Sequence, residues 1–456
     1  MPEPRVVVGG TPAALVTVDA LGAADVPVRW LAPERGVGRG FAPIPRDGRT
    51  LQLGVRLLEL GYEDDRTPPP LAAYRSGTSG HRPFTPLIRS WTEALAGERL
   101  REIAPPRVAL DGALHDDYLF TVDLAGVPDA LPAAERAAIA DEAAIAAAAL
   151  GDAGVLADDL GERSLADASR ANHGATFHAR LIEPLAGKFV PGGADAILAD
   201  WRRKAWLPLF WPRTVHEAFA GTTPAFRPRR TFHELTPGGV GGLIDALGER
   251  IATYASVERI AVGGLAGVKP RDGGLRLAFE GGHVEDAARP ALGVPAAELQ
   301  AVLGIDAAVE RLRTAIAWIE VDEDAVPDGT DLVHVLDPGN PVARVSGGST
   351  TPAAGRRLLS VELRHDQADG TLAAAAIDGL RDAGLLKDGD PVSIHEGAMA
   401  TLPLPNAATR ARLTAAHAAL TERALDAELL GGALAPGADS LNEQIVQGLR
   451  AAEALA

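Results

Sequence analysis

Three consecutive valines, Val6–Val8, lie between the charged Arg5 and the pair Gly9-Gly10. An apolar run of this length bounded by glycine predicts a short buried strand over Arg5–Val8. Apolar positions then dominate Thr11–Leu21 over a helical length, and a second short run follows at Val26–Leu31. Strand, glycine turn, helix and strand in this order make a βαβ unit. In such a unit the helix N-terminus faces the crevice at the strand ends, where its free N–H groups and dipole can receive a pyrophosphate.

The pattern changes character further along. Residues 47–95 predict short strands and one helix, with turn signals at RDGR and TPPP. From Pro106 to about Phe226 the chain predicts a helical insertion, in which LPAAERAAIADEAAIAAAAL forms one long alanine-rich helix. RRTFHELTPGGVGGLIDALGERIA predicts a short strand, a glycine-rich loop and an amphipathic helix. Two alternating runs flanking RDGG predict a hairpin. A helix over Ala297–Leu312 and a strand over Ala315–Glu323 come next; LVHVLDP, ARVSGG and RLLSVELRHD extend the latter into an antiparallel sheet. The chain then predicts a helix at Ala407–Glu422, a strand at Ala427–Leu430, the loop GGALAPGADSL and a last helix. That return can complete the first sheet and aim a helix N-terminus into its crevice.

Composition narrows the function. The formal net charge is −17, which disfavours nucleic acid and anionic membranes as partners. With no cysteine there is no disulfide, thiol nucleophile or thiolate metal site. Neither a secretory signal nor an uninterrupted membrane-length apolar run is visible, so the expectation is a soluble cytoplasmic protein. HExxH, a serine-hydrolase elbow and GKS or GKT do not occur, and no metal site is expected.

The turn after the first strand carries Gly9, Thr11 and Ala14 where a dinucleotide fingerprint has three glycines. Thr11 takes up room that a glycine leaves for a ligand, and Pro12 lacks an N–H that would be orphaned anyway. The position after the second strand is Ala32, with Glu34 as the nearest carboxylate. VVVGGTPAALVTVDALGAADVPVRWLAPERGVGRGF resembles the opening of the FAD-dependent amine oxidase, protoporphyrinogen oxidase and UDP-galactopyranose mutase superfamily. The resemblance continues in order through ATFHARLIEPLAGKFVPGG, RRTFHELTPGGVGG and GGALAPGADSL. It departs from the family pattern at Thr11, Ala32 and Gly432.

The resemblance implies an α/β fold: a Rossmann-like, glutathione-reductase-like FAD/NAD(P)-binding domain with an inserted helical and antiparallel-sheet substrate domain. The implied division is 1–95, 226–295 and 376–456 for the dinucleotide part, 96–225 for the helical part and 296–375 for the sheet. FAD is the implied cofactor, held by Gly9, Gly10, Thr11, Glu34, Gly38, Arg39, Gly431, Gly432 and Asn442. His81, Arg82, Arg344 and His365 are the implied catalytic candidates. Arg202, Trp206 and Arg213 belong to a cluster of basic residues beside tryptophans, suited to an anionic or planar substrate. The implied activity is that of a flavin-dependent oxidoreductase or isomerase acting on a small molecule, and a homodimer is compatible with it. The alternative is the same scaffold with flavin binding lost, serving as a cofactor-independent biosynthetic enzyme or as a non-catalytic binding or partner protein.

Overall fold

A computed structural model describes residues 3–42, 44–54, 57–61, 67–76, 80–151, 154–155, 160–224, 230–235, 239–348, 355–387 and 389–456. β1 covers Arg5–Gly9, helix α1 Pro12–Ala23 and β2 Val28–Pro33. β3 (Val257–Val262), β4 (Ala291–Gly293) and β5 (Glu428–Leu429) return from later in the chain to the same sheet. The order is β3-β2-β1-β4-β5, every pair parallel. The central strands β1 and β4 are covered on both faces, which is why they are apolar at successive positions, whereas the edge strand β3 exposes Glu258 and Arg259. Val7, Trp30 and Ala291 face the core with α1, while Val6, Val8, Leu31 and Leu292 face the opposite layer.

The C-terminal return is as expected. The helix Ala407–Glu422 and β5 lead to helix α2, Leu441–Leu455, which lies against α1. Gly448 sets their approach: a Cβ there would stand 2.6 Å from the Ala13 carbonyl oxygen and 2.6 Å from Val16 Cβ. Thr17 ties the two helices by donating to the Ala13 and Gly448 carbonyls at 2.8 and 3.2 Å.

The second large sheet has seven strands in the order Val392–Pro403, Arg311–Asp322, Arg356–Leu363, Val342–Gly348, Leu332–Val335, Arg107–Leu110 and Ala113–Asp116. The expected antiparallel strands are its centre. Two flanks differ from expectation. Arg107–Leu110 and Ala113–Asp116 open the segment expected to be helical, and pair onto this sheet from outside. Val392–Pro403 pairs with Arg311–Asp322, so the sheet extends beyond residue 375. The long alanine-rich helix is present as Ala133–Leu150. The helix expected over Ala297–Leu312 ends at Val302, because Gly304 at φ 70° turns the chain and Ile305 N–H caps the Gln300 carbonyl at 2.8 Å. The strand Arg311–Asp322 then takes up the last two residues of that range. Residues 236–238 of the expected glycine-rich loop lie outside the described residues.

Lys188 pins the helical segment to the second sheet. Its buried ammonium donates to the Val335 and Val342 carbonyls at 2.8 and 2.6 Å. Burial pushes it down to about 7, against the opposing pull of Asp337. The unfolded lysine keeps its proton to higher pH, so between these values the unfolded state binds more protons and stability rises with pH. Lys188→Met is expected to flatten that rise, read as denaturant midpoints from pH 7 to pH 10. Gly448→Ala is expected to cost roughly 1–3 kcal/mol by overpacking the α1–α2 contact, measured as a lowered midpoint at unchanged m-value.

Candidate functional site

Each N–H in the first turn of α1 is accounted for. Thr11 caps the helix, and its own N–H donates to the Gly293 carbonyl at 3.3 Å. Pro12 has none. Ala13 N–H faces the Gln444 side-chain oxygen at 3.5 Å, and Ala14 N–H donates to Thr11 Oγ1 at 3.3 Å. Leu15 N–H already closes the first intrahelical bond, to the Thr11 carbonyl at 3.1 Å. An anion seat at a helix N-terminus depends on these donors being free. Residues 9–14 are moreover all buried. Gly10 lies under the loop after β2: a Cβ on it would meet Pro33 Cγ at 2.8 Å and Val37 Cα at 3.2 Å, and Gly38 N–H donates to its carbonyl at 2.7 Å. Gly9, at φ 101°, has the Gly293 carbonyl against its open side.

A cleft of about 340 Å³ opens beyond Gly9, at the ends of β1, β2 and β3. Val8, Leu31, Val262, Leu265, Phe279 and Val294 make its apolar walls, while Glu34, Arg35, Arg39, Glu280 and Glu298 supply charge. Arg39, itself at φ 51°, faces Glu298 at 3.6 Å. Glu34 and Arg39 therefore meet at one cleft, whereas Gly10 and Thr11 are sealed from it.

The head of α2 is also occupied. Ser440 caps it by accepting from Glu443 N–H at 3.3 Å. The Glu443 carboxylate turns inward and accepts from the Tyr74 hydroxyl, from His81 N–H at 3.1 Å and from His81 Nδ1 at 3.0 Å. Burial alone would raise this carboxyl, but the His81 and Tyr74 hydrogen bonds outweigh it and hold it below its ordinary value. Burial and the Glu443 contact push the Tyr74 phenol up. Gln447 donates to Tyr74 Oη at 3.2 Å and to the Ala438 carbonyl at 2.8 Å, and accepts from Gly431 N–H at 2.6 Å. Asn442 donates to the Glu59 carbonyl at 3.1 Å. Gly432 lies beside Ala296. Sequence reasoning placed His81, Asn442, Gly431 and Gly432 here but missed Tyr74, Glu443, Gln444 and Gln447. The available signal was Ser440-Leu441-Asn442-Glu443, a capping-box pattern that fixes the helix start and puts an acid at its third position.

A third group surrounds the turn Ala199–Ala205. Lys204 anchors the turn to the loop before α2, donating to the Gly437 carbonyl at 3.0 Å and pairing with Asp439. Trp206 follows in a left-handed conformation, φ 59°, 37% exposed, stacked on Phe120 at 4.7 Å. Phe120 stacks in turn on the buried His334 at 5.0 Å. Arg82, Arg202 and Arg203 are mutually close enough to repel.

The remaining candidates lie elsewhere. Arg213 is exposed and pairs with Glu217 one helical turn along. Arg344 is buried in the seven-stranded sheet, forked onto Glu362 at 2.6–3.1 Å with its guanidinium over Phe189. His365 follows the strand Arg356–Leu363; its N–H donates to the Lys188 carbonyl at 3.0 Å, and its own carbonyl accepts from Arg313. The structure thus brings His81 to the head of α2 and Arg82 to Arg202 and Arg203, but leaves Arg344 in the second sheet and His365 just beyond one of its strands. Among the described residues no cluster of three or more metal-ligating side chains occurs, and no helix is long and apolar enough to cross a membrane.

The fold, a Rossmann-like sheet with a multi-strand second sheet, is similar to those of several solved structures. Reduced UDP-galactopyranose mutase is similar with a TM-score of 0.72 at 14% identity, over 99% of this chain and 94% of the other. Wild-type putrescine oxidase bound to putrescine gives 0.55 at 16% identity over 99% of each chain. The CLA-producing fatty acid isomerase from P. acnes gives 0.54 at 13% identity, over 98% and 97%. No protein-family model and no curated protein matches the sequence.

FAD does not fit the residues as they stand. The seat that the resemblance implies for it is filled by the chain itself: Gly293, Gln444 and Thr11 occupy or cover the α1 donors, and Glu443 turns into the head of α2. Glu443→Gln is expected to destabilise the protein by about 1.5–3 kcal/mol, the range for hydrogen bonds to a charged group. It is also expected to remove part of the acid sensitivity. A carboxyl held low in the folded state loses its stabilisation as pH falls through that low value, so the gap between wild type and variant should close toward pH 3 in denaturant titrations.

Proposed function

We propose that this chain is a small-molecule-binding protein that keeps the flavoenzyme fold but does not hold FAD along α1. The observation that carries this reading is the internal use of the α1 N-terminal donors, together with the burial of residues 9–14. On this view a small molecule is taken where the turn Ala199–Ala205 meets the 81–84 segment and the loop before α2, apart from the cleft at the ends of β1, β2 and β3. In this reading the five-part division of the chain serves to hold these three pieces against one another. His81 and Glu443 then position the head of α2 rather than face a flavin.

A second reading, a flavin-dependent oxidoreductase or isomerase, draws on the similarity over nearly the whole chain and on the cleft that keeps Glu34 and Arg39. It needs Gln444 and the loop at Val37 to move away from α1. The bound cofactor would supply redox or covalent chemistry through its ring.

One experiment separates the two. The freshly purified protein is expected to show no flavin bands near ~375 and ~450 nm, to release no FAD on denaturation, and to leave the fluorescence of added FAD unchanged. A yellow protein releasing FAD, or saturable quenching of added FAD, would overturn the first reading in favour of the second.

A further inference from the structure

The turn Ala199–Ala205 carries Trp201, Arg202, Arg203 and Lys204; among the described residues only the lysine forms a close ion pair, with Asp439, while Asp200 and Glu59 act on Arg202 and Arg203 without pairing with them. Arg202 donates one Nη1 bond to the Ala199 carbonyl at 2.7 Å, while its Nε is buried without a partner. Arg203 is half-buried, and its guanidinium makes no hydrogen bond or ion pair within the described residues. Arg82 is exposed and likewise has no partner for its guanidinium. Arg230 completes the group, already held by Glu59 at 2.6 Å and by the Phe120 carbonyl at 2.8 Å. The nearby Asp200 is drawn off to Arg410 at 3.2 Å.

Such a group is costly. Burial pushes Arg203 down to about 9, with Arg230, Arg82 and Arg202 adding repulsion, and burial with Arg82 pushes Arg202 down to about 10. The chain as a whole has a net charge of −17, so acids to neutralise these arginines are not scarce. Here, among the described residues, only Glu59 and Asp200 act on Arg203 and Arg202, and each is already paired, Glu59 with Arg230 and Asp200 with Arg410. Beside the arginines stands Trp206, its backbone in the sparsely populated left-handed region and its ring partly exposed, steadied from below by Phe120. Strain and unpaired charge concentrated at one spot are the marks of a site whose balancing partner comes from outside.

We propose that Arg82, Arg202 and Arg203, with the open face of Trp206, form a binding subsite for a small anionic molecule that presents a phosphate or carboxylate group to the guanidinium forks. Arginine suits this task because its planar donors match either group bidentately. The proposal rests on the reading that a small molecule is taken where this turn meets the 81–84 segment. It does not require FAD to be present or absent.

The test uses thermal unfolding and tryptophan fluorescence of the full chain with two probes, inorganic pyrophosphate and citrate, at low and raised salt. The wild type is expected to show a saturable rise in unfolding midpoint and a change in tryptophan emission with at least one probe. Pyrophosphate acting alone assigns a phosphate, and citrate acting alone a carboxylate. Arg82→Gln and Arg203→Gln are each expected to weaken that binding by roughly tenfold or more, the loss of one charge-assisted contact. Arg203→Gln should also raise the midpoint of the ligand-free protein, since it removes an unpaired, crowded charge; an arginine with a structural role would do the opposite. Should Arg203→Gln fail to fold, Arg82→Gln, a change at an exposed side chain, decides the matter. Absence of saturable binding by both probes, or unchanged binding in Arg82→Gln, overturns the proposal. The readout is separate from flavin absorbance, so its failure and the failure of the flavin-free reading are distinguishable.

Discussion

A helix N-terminus has a fixed number of unpaired N–H groups, and they can serve a ligand or the protein itself. In this chain α1 is served by the protein. Thr11, Gly293 and the Gln444 side chain take up the first turn, and the loop at Val37 covers Gly10. Much of the surrounding architecture follows from that closure. α2 must lie close enough for Gln444 to reach, which requires Gly448 at the contact with Ala13 and Val16. The head of α2 is then committed, and Glu443, Tyr74, His81 and Gln447 form a buried polar network instead of lining a crevice. A buried network of this kind is tolerable only because its members satisfy one another.

The arginine group around Ala199–Ala205 follows the opposite logic. There the guanidinium of Arg203 and the Nε of Arg202 are left without a partner, and an exposed aromatic ring is held in place beside them. The two regions are joined by Lys204, which links the basic turn to the loop leading into α2. This ion pair, with the Asn442 bond to Glu59, connects a region whose polar groups are closed among themselves to one with unpartnered guanidinium groups.

The local parts of the fold were legible because local forces set them. Val6–Val8 followed by Gly9 specify a buried strand and a tight turn, and the hairpin at RDGG and the alternating runs of the second sheet are equally self-declaring. Val392–Pro403 was not legible: its residues include Ser393, His395, Glu396 and Gly397, and only pairing with Arg311–Asp322 makes them a strand. The helix starting near Ala297 is shorter than its apolar pattern predicts because Gly304 turns the chain after Val302. In the site, Arg202 and Trp206 stood out as part of a basic cluster beside tryptophans, and Arg82 by its place beside an apolar run. Glu443 and Gln444 did not, since an acid and a glutamine in a first helical turn have an ordinary explanation as capping residues. Thr11 and Ala32 signalled an altered cofactor seat, but what fills it depends on contacts between distant parts of the sequence.

The pairing of Ala13 with Gln444 spans 431 positions of sequence. The closure of α1 is therefore of two kinds: Thr11 supplies the near part from within the first turn, and Gln444 the far part from almost the other end of the sequence. A change in either helix alters a surface that the other helix was shaped to meet.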